Sequence, residues 1–170
     1  ILLLQLVFKM TENIKPITSN LLKCEKVIHG FFTKNGSTNQ NTNYNFDFSL
    51  KNKENIKNRK MVSNFHNLNL QNLKTVNQIH SNKVLIVKEK KQITNDINAD
   101  ALVTNLPNII LGIITADCAP ILAYDKKLKI IAAIHIGWRG AFKNILKNSI
   151  LEMKNLGSDV NDIYLAIGPC

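Results

Sequence analysis

One α/β domain is the fold class that this sequence predicts, on three observations. The chain has 170 residues, enough for a single domain with a substantial core and too few for two. Short apolar runs bounded by turn signals fill its second half and read as buried strands. Two longer segments carry apolar residues at helical spacing and read as helices packed outside those strands. A hydrophobic fraction of 45% and a charged fraction of 20% are ordinary for a globular protein and exclude disorder, collagen and coiled coil.

The elements follow in order. Residues 1–8, ILLLQLVF, fall well short of the ~20 apolar residues that span a bilayer. They also lack the basic start and small-residue cleavage site of a signal peptide. Met10 follows closely, so residues 1–9 are read as a peripheral strand or as an extension that is not native. Residues 27–34, VIHGFFTK, suit a strand ending in an Asn35-Gly36 turn, and the polar residues 37–45 form a loop. Residues 53–68 fit a helix with Ile56, Val62, Phe65 and Leu68 near one face. Residues 76–88 hold a strand, strongest at 84–87, before a polar loop over 88–98. Residues 108–115, NIILGIIT, are continuously apolar and predict a strand buried on both faces. Two further strands are predicted at 120–124 and 129–136, separated by a turn at Asp125-Lys126-Lys127. After Gly140 one helix is expected, with Phe142, Ile145, Leu146, Ile150 and Met153 near one face and Gly157 closing it. Residues 163–167 are the last strand, running into Gly168-Pro169-Cys170. A buried strand with nothing after it to cover its edge predicts a fragment, or a sheet completed by a partner chain. No repeat or domain boundary is visible, so residues 1–170 are read as one domain.

The net charge of +10 and pI near 9.6 invite a nucleic-acid reading. The composition argues against it. The chain holds 24 Asn, 22 Ile and 20 Lys, all residues with AT-rich codons, so much of the Lys excess reflects coding bias on a solvated surface. Phosphate and base contacts favour Arg, and only Arg59 and Arg139 are present. No nucleic-acid partner and no membrane association are expected, and a cytoplasmic location is. Three cysteines, Cys24, Cys118 and Cys170, are too few and too odd in number for a disulfide scaffold.

Three residues stand where regular structure gives way to loops: His80 before a strand, Cys118 where a buried strand breaks, and His135 near the end of another. Strand ends carry sites because the sheet fixes the backbone while the loop opens a cavity. Two imidazoles and a thiolate make a three-ligand set for zinc, with a fourth position for water. The spacings, 38 and 17 residues, are not those of a zinc finger, so the fold must bring the three together. Each taken singly has a plain alternative as a small core hydrophobe or a hydrogen-bonded core histidine. The neighbours Asp117 and Pro120 for Cys118, and Gly137-Trp138-Arg139-Gly140 for His135, weigh against those alternatives. His29 is a weaker candidate for the same cavity, His66 reads as surface, and Cys24 as incidental. Phosphate-cradling GxxxxGK[ST], GxGxxG and a GxSxG elbow are absent.

The segments ADALVTN (99–105), ITADCAPIL (114–122), HIGWRG (135–140) and AIGPC (166–170), with QIHS at 78–81, resemble the YfiH/laccase-domain family. HGFFTKNG (29–36) and SLKNKENIKNR (49–59) are similar to its N-terminal segment, with Lys34 where an Arg is usual and Asn35 in place of a Gly. The family is called both multicopper polyphenol oxidoreductase and purine nucleoside phosphorylase. The resemblance implies layered, mixed β-sheets with outer helices, similar to cysteine-hydrolase-like toxins. It implies a zinc site at His80, Cys118 and His135, with copper the less secure inheritance. It also implies phosphorolysis of adenosine, inosine and methylthioadenosine, so a purine nucleoside and phosphate as partners, and deamination of adenosine. On this reading Asp117 is the nearest carboxylate for general acid/base work, and Arg139 either holds phosphate or braces its loop. Family members continue beyond GPC, so the remainder is expected to complete the sheet and wall the pocket. Three rivals stand beside this reading: metal-free catalysis by Cys118 with His80 or His135, an inactive decayed product, and a basic nucleic-acid binder.

Overall fold

The computed structural model describes residues 16–23, 27–33 and 53–170. Cys24, the predicted Asn35-Gly36 turn, the 37–45 loop and residues 1–9 lie outside the described residues. Among those described, seven strands and three α-helices are present. The strands are β1 (Leu73–Lys74), β2 (Val84–Ile86), β3 (Ala101–Thr104), β4 (Ile110–Leu111), β5 (Ala119–Asp125), β6 (Ile131–Ile136) and β7 (Ile163–Ile167). The helices are α1 (Lys53–Phe65), α2 (Trp138–Phe142) and α3 (Ile145–Asn155). No helix among the described residues is long and apolar enough to cross a membrane.

Five strands form one mixed sheet in the order β2-β3-β6-β5-β7, and β1 pairs with β4 in a separate parallel ribbon. Only the β2–β3 pair of the large sheet is parallel. Because side chains alternate along a strand, the large sheet has two distinct faces. One carries Ala101, Val103, Ile121, Ala123, Ala132 and Ile134, covered by Ile145 and Met153 of α3. The other carries Leu122, Tyr124, Ile131 and Ala166, which meet Leu22 and Phe31 from the N-terminal segment. Helix α3 is C-capped by Leu156, and Gly157 follows at φ +110, a left-handed conformation that glycine adopts without a Cβ clash.

Two expectations are corrected. Residues 108–115 do not form a doubly buried strand: only Ile110 and Leu111 pair, and Ile113 to Ala116 line open space. Apolarity alone does not distinguish a buried strand from a cavity wall. The single helix expected after Gly140 is two, because Asn144 takes φ 62 and breaks it. Phe142, expected on the buried face, is consequently 85% exposed at the end of α2. The strand expected within 76–88, strongest at 84–87, is β2 at Val84–Ile86. Within 27–33, Phe31 pairs with Ile17 in an isolated antiparallel bridge. The last strand falls where the sequence places it, and Ile167 on its open edge is 69% exposed.

Candidate metal centre

Strand register builds the site. In the β3–β6 pair Ala101 faces Ile134, so the residue before β3, Asp100, lies opposite His135. The His135 amide donates to the Asp100 carbonyl at 2.8 Å. In the β5–β6 pair Ala119 faces Ile136, which sets Cys118 opposite Gly137. The start of β3, the end of β6 and the start of β5 therefore meet at one edge of the sheet, with β6 in the middle. His80 comes to the same place from the turn ahead of β2.

The ligand atoms offered by His80, Cys118 and His135 all lie within 4.8 Å of one another. Cys118 Sγ is 3.8 Å from His80 Nε2, and the two imidazole rings meet edge to face with centroids 4.8 Å apart. Donors around one metal at ~2.0–2.3 Å stand within ~4 Å of each other, so coordination asks for a small contraction of this trio. Two nitrogens and one soft sulfur, converging on a cavity, fit a borderline ion such as zinc. Gly137 is required by the same crowding: a Cβ there would sit 2.8 Å from His80 Cδ2 and 3.1 Å from Cys118 Sγ.

One carboxylate organises two of the three residues. Asp100 is fully buried. Its Oδ1 accepts from the His80 amide and from His135 Nδ1, both at 2.9 Å. Its Oδ2 accepts from the Ser81 amide and hydroxyl, both at 2.6 Å. Burial pushes the Asp100 carboxyl up, but bonds from Ser81, His135 and the His80 amide outweigh it and hold the group below the usual range. An ionised carboxylate can only accept, so His135 Nδ1 carries the proton and Nε2 is left for a ligand. The same bonds hold His80 at φ 56, a left-handed backbone rare for a residue with a Cβ. Gln78 ties the other ligand loop in: its amide donates to the Ile114 carbonyl and accepts from the Ile114 N–H, both at 2.7 Å.

The trio lines a cavity of about 620 Å³ with Arg59, Thr75, Asn77, Gln78, Asn95 and Asp117 among its walls. Asp117 is exposed. Arg139 lies on α2, exposed and stacked over Trp138 with its guanidinium carbon 5.2 Å from the ring centroid, and is not in that wall. His29 and His66 line a different, apolar hollow of about 670 Å³. There His29 Nε2 accepts from the Ser19 amide at 2.9 Å, and half-buried His66 packs against Phe32 and Phe65. Burial lowers the pKa of both imidazoles. Asp100 and Arg59 are the wall and support residues that the sequence reading passed over. The first stood in ADALVTN, where an acidic residue opens an otherwise apolar strand; the second was one of only two arginines in a chain that uses Lys.

Comparison with known proteins identifies the family and the fold. Residues 28–170 match the family described as multi-copper polyphenol oxidoreductase laccase. The chain is 31% identical over 157 residues to purine nucleoside phosphorylase YlmD of Bacillus subtilis, covering 85% of this chain and 56% of that protein. It is 37% identical over 110 residues to adenosine deaminase RL5 from an unknown prokaryotic organism, covering 60% and 42% respectively. The crystal structure of the hypothetical protein YfiH of Bacillus licheniformis superposes with a TM-score of 0.70 at 27% identity, covering 83% of this chain and 57% of that one. The chain spans about half the length of the curated relatives it matches.

Proposed function

This chain belongs to the multi-copper polyphenol oxidoreductase laccase family, and on that premise we propose that it carries the metal centre of a zinc-dependent purine nucleoside enzyme. The reading is phosphorolysis of adenosine, inosine and methylthioadenosine, with deamination of adenosine at the same site, in the cytoplasm. The observation that carries it is the convergence of His80, Cys118 and His135 on one cavity. The names of the relatives supply the chemistry, and the donor set supplies the place for it.

A zinc ion held by the trio supplies Lewis-acid polarisation and lowers the pKa of a water toward ~7. The protein's own groups do the rest. Asp100 fixes the orientation of His135 and the backbone of His80. Asp117, at the cavity rim, is the carboxylate we assign to proton transfer. In phosphorolysis an oxygen of hydrogen phosphate bonds to ribose C1′ as the C1′–N9 bond breaks. The purine leaves with that electron pair and takes the phosphate proton, giving ribose 1-phosphate and free base. In deamination water adds at purine C6 and ammonia departs. Arg139, exposed on α2 beside Trp138 and outside the cavity wall, is assigned no part in the reaction.

Zinc is the metal of this reading; a His₂Cys set also takes a single copper ion, but not multi-copper chemistry. Among the described residues His80, Cys118 and His135 are the one group of metal-ligating side chains, whereas multi-copper chemistry needs several. A metal-free Cys–His pair has one observation in its favour, the 3.8 Å approach of Cys118 Sγ to His80 Nε2. Elemental analysis of purified protein decides between them. Stoichiometric zinc, abolished in Cys118→Ser together with release of purine base, is expected. Copper in its place, or undiminished turnover by metal-stripped protein, defeats the proposal.

A further inference from the structure

We infer that Asn95 reads the purine ring in this cavity and favours 6-oxopurine nucleosides over 6-aminopurine ones. The inference rests on the nucleoside reading above and says which part of that substrate class the wall fits best. Asn95 is half-buried and lines the same cavity as His80, Cys118 and His135. It lies in the loop between β2 and β3, far in sequence from each member of the trio.

A chain of hydrogen bonds decides which end of its carboxamide is free. A guanidinium offers donors only, and a hydroxyl has a single hydrogen. Arg59 Nη2 donates to Thr75 Oγ1 at 2.8 Å, so the Thr75 hydrogen must point elsewhere. It goes to Asn95 Oδ1, also at 2.8 Å. The amide oxygen is therefore the end held by Thr75, and no described hydrogen bond occupies Nδ2. The other two amides of the wall differ. Gln78 is engaged at both ends by Ile114, and Asn77 gives its Nδ2 to Asn98 Oδ1 at 2.6 Å. Asn95 thus offers the cavity an N–H donor whose identity is set by its neighbours.

Purines differ in what they present to such a donor. Along the edge that carries N7, a 6-oxopurine has two acceptors, N7 and O6. A 6-aminopurine has the N7 acceptor beside an N6 donor. An NH₂ group facing that edge can bond both acceptors of the first, but meets a second donor in the other. Two opposed donors leave at least one hydrogen bond unmade in a site shielded from water. Thr75 touches no substrate in this scheme; it is a positioning residue that keeps the amide from turning over.

The test titrates the free bases hypoxanthine and adenine calorimetrically into the zinc-loaded full chain and into Asn95→Asp and Thr75→Val. Neither base has a glycosidic bond to break, and each is checked for recovery unchanged. The parent is expected to bind hypoxanthine about tenfold more tightly than adenine. Asn95→Asp should invert that order, because a carboxylate accepts from N6 and repels O6. Thr75→Val frees the amide to turn, so the preference should shrink to about threefold or less. Phosphorolysis of inosine and adenosine should follow the same order in kcat/KM. Equal affinity of the parent for the two bases overturns the assignment, as does binding of neither at millimolar concentration. So does the parent's preference retained in a folded Asn95→Asp. Should Asn95→Asp fail to fold, an undiminished preference in Thr75→Val overturns it instead. Discrimination through Asn95 without nucleoside turnover refutes the enzyme reading alone. Turnover whose inosine-to-adenosine ratio is indifferent to Asn95 refutes the assignment alone.

Discussion

Two hollows of similar size flank the segment 114–116 and share Thr75, and they differ in which reactive groups their walls bring together. The larger, about 670 Å³, is walled by Leu22, Phe31, Leu122, Tyr124 and Ile131. The smaller, about 620 Å³, is walled by the His80–Cys118–His135 trio, Arg59 and a run of amides and hydroxyls. Size does not mark the site. A hollow lined by apolar groups stabilises whatever covers it, through area removed from water. A hollow whose polar groups are each aimed by a second residue can bind and react, because the cost of orienting them is met during folding. Asp100 behind His135 and Thr75 behind Arg59 are such second residues, both side chains; in the other hollow His29 and His66 are held by backbone groups, the Ser19 amide and the Val62 carbonyl.

That contrast can be sharpened by substitution. The largest effect on metal loading short of removing a ligand is expected from Asp100→Asn. It replaces an acceptor with an amide that must turn a donor toward an N–H, so metal affinity should fall about 10–100-fold in a chelator competition. Gly137→Ala comes next. Its methyl would press His80 Cδ2 and Cys118 Sγ apart, with an expected loss of about tenfold in the same measurement and little change in melting temperature. Leu22→Ala inverts the pattern. Leu22 is buried on the apolar side, so unfolding by denaturant should show a loss of about 2–4 kcal/mol while metal affinity holds. A drop in metal affinity for Leu22→Ala would erase the distinction between the hollows.

The smallest effect lies away from both. Asp125 ends β5 and accepts from the amides of Lys127 and Leu128 at 2.8 and 2.9 Å. Burial pushes its carboxyl up. The Leu128 amide, the Ser158 hydroxyl and the Lys127 amide bring it below the usual 3.8. A carboxyl lowered in the folded state contributes stability above the unfolded value, and that increment is lost as pH falls through the folded value. Parent and Asp125→Asn should therefore differ by about 1 kcal/mol at neutral pH and converge below pH ~4. Thermal melts at pH 7 and pH 3 check it.

Much of the sheet was legible because it follows local rules. Strands at 120–124, 129–136 and 163–167 alternate or run apolar between turn residues, and the observed β5, β6 and β7 lie within two residues of those bounds. The errors have physical causes. Residues 108–115 are apolar because they wall a hollow, and hydropathy does not report which neighbours are missing. The break at Asn144 depends on a left-handed backbone that Asn tolerates but does not announce. Within the site, His80, Cys118 and His135 drew notice one at a time from their chemistry and position. Their nearness is a property of antiparallel register between strands far apart in the chain. Asp100 and Arg59 were harder still. A buried carboxylate and a buried guanidinium contradict the expectation that charge lies outside, and only their partners explain why they are tolerated.

The Asp100 clasp has a thermodynamic consequence. Both imidazoles of the trio are anchored by protein groups: one through its ring, the other through its backbone and that of Ser81. In small zinc modules the ion must order its own ligands, and removing it unravels the chain. Here the loops are fastened beforehand, so stripping by a chelator should leave the molecule folded and ready to reload. The ion is a tenant of this scaffold and not one of its stitches.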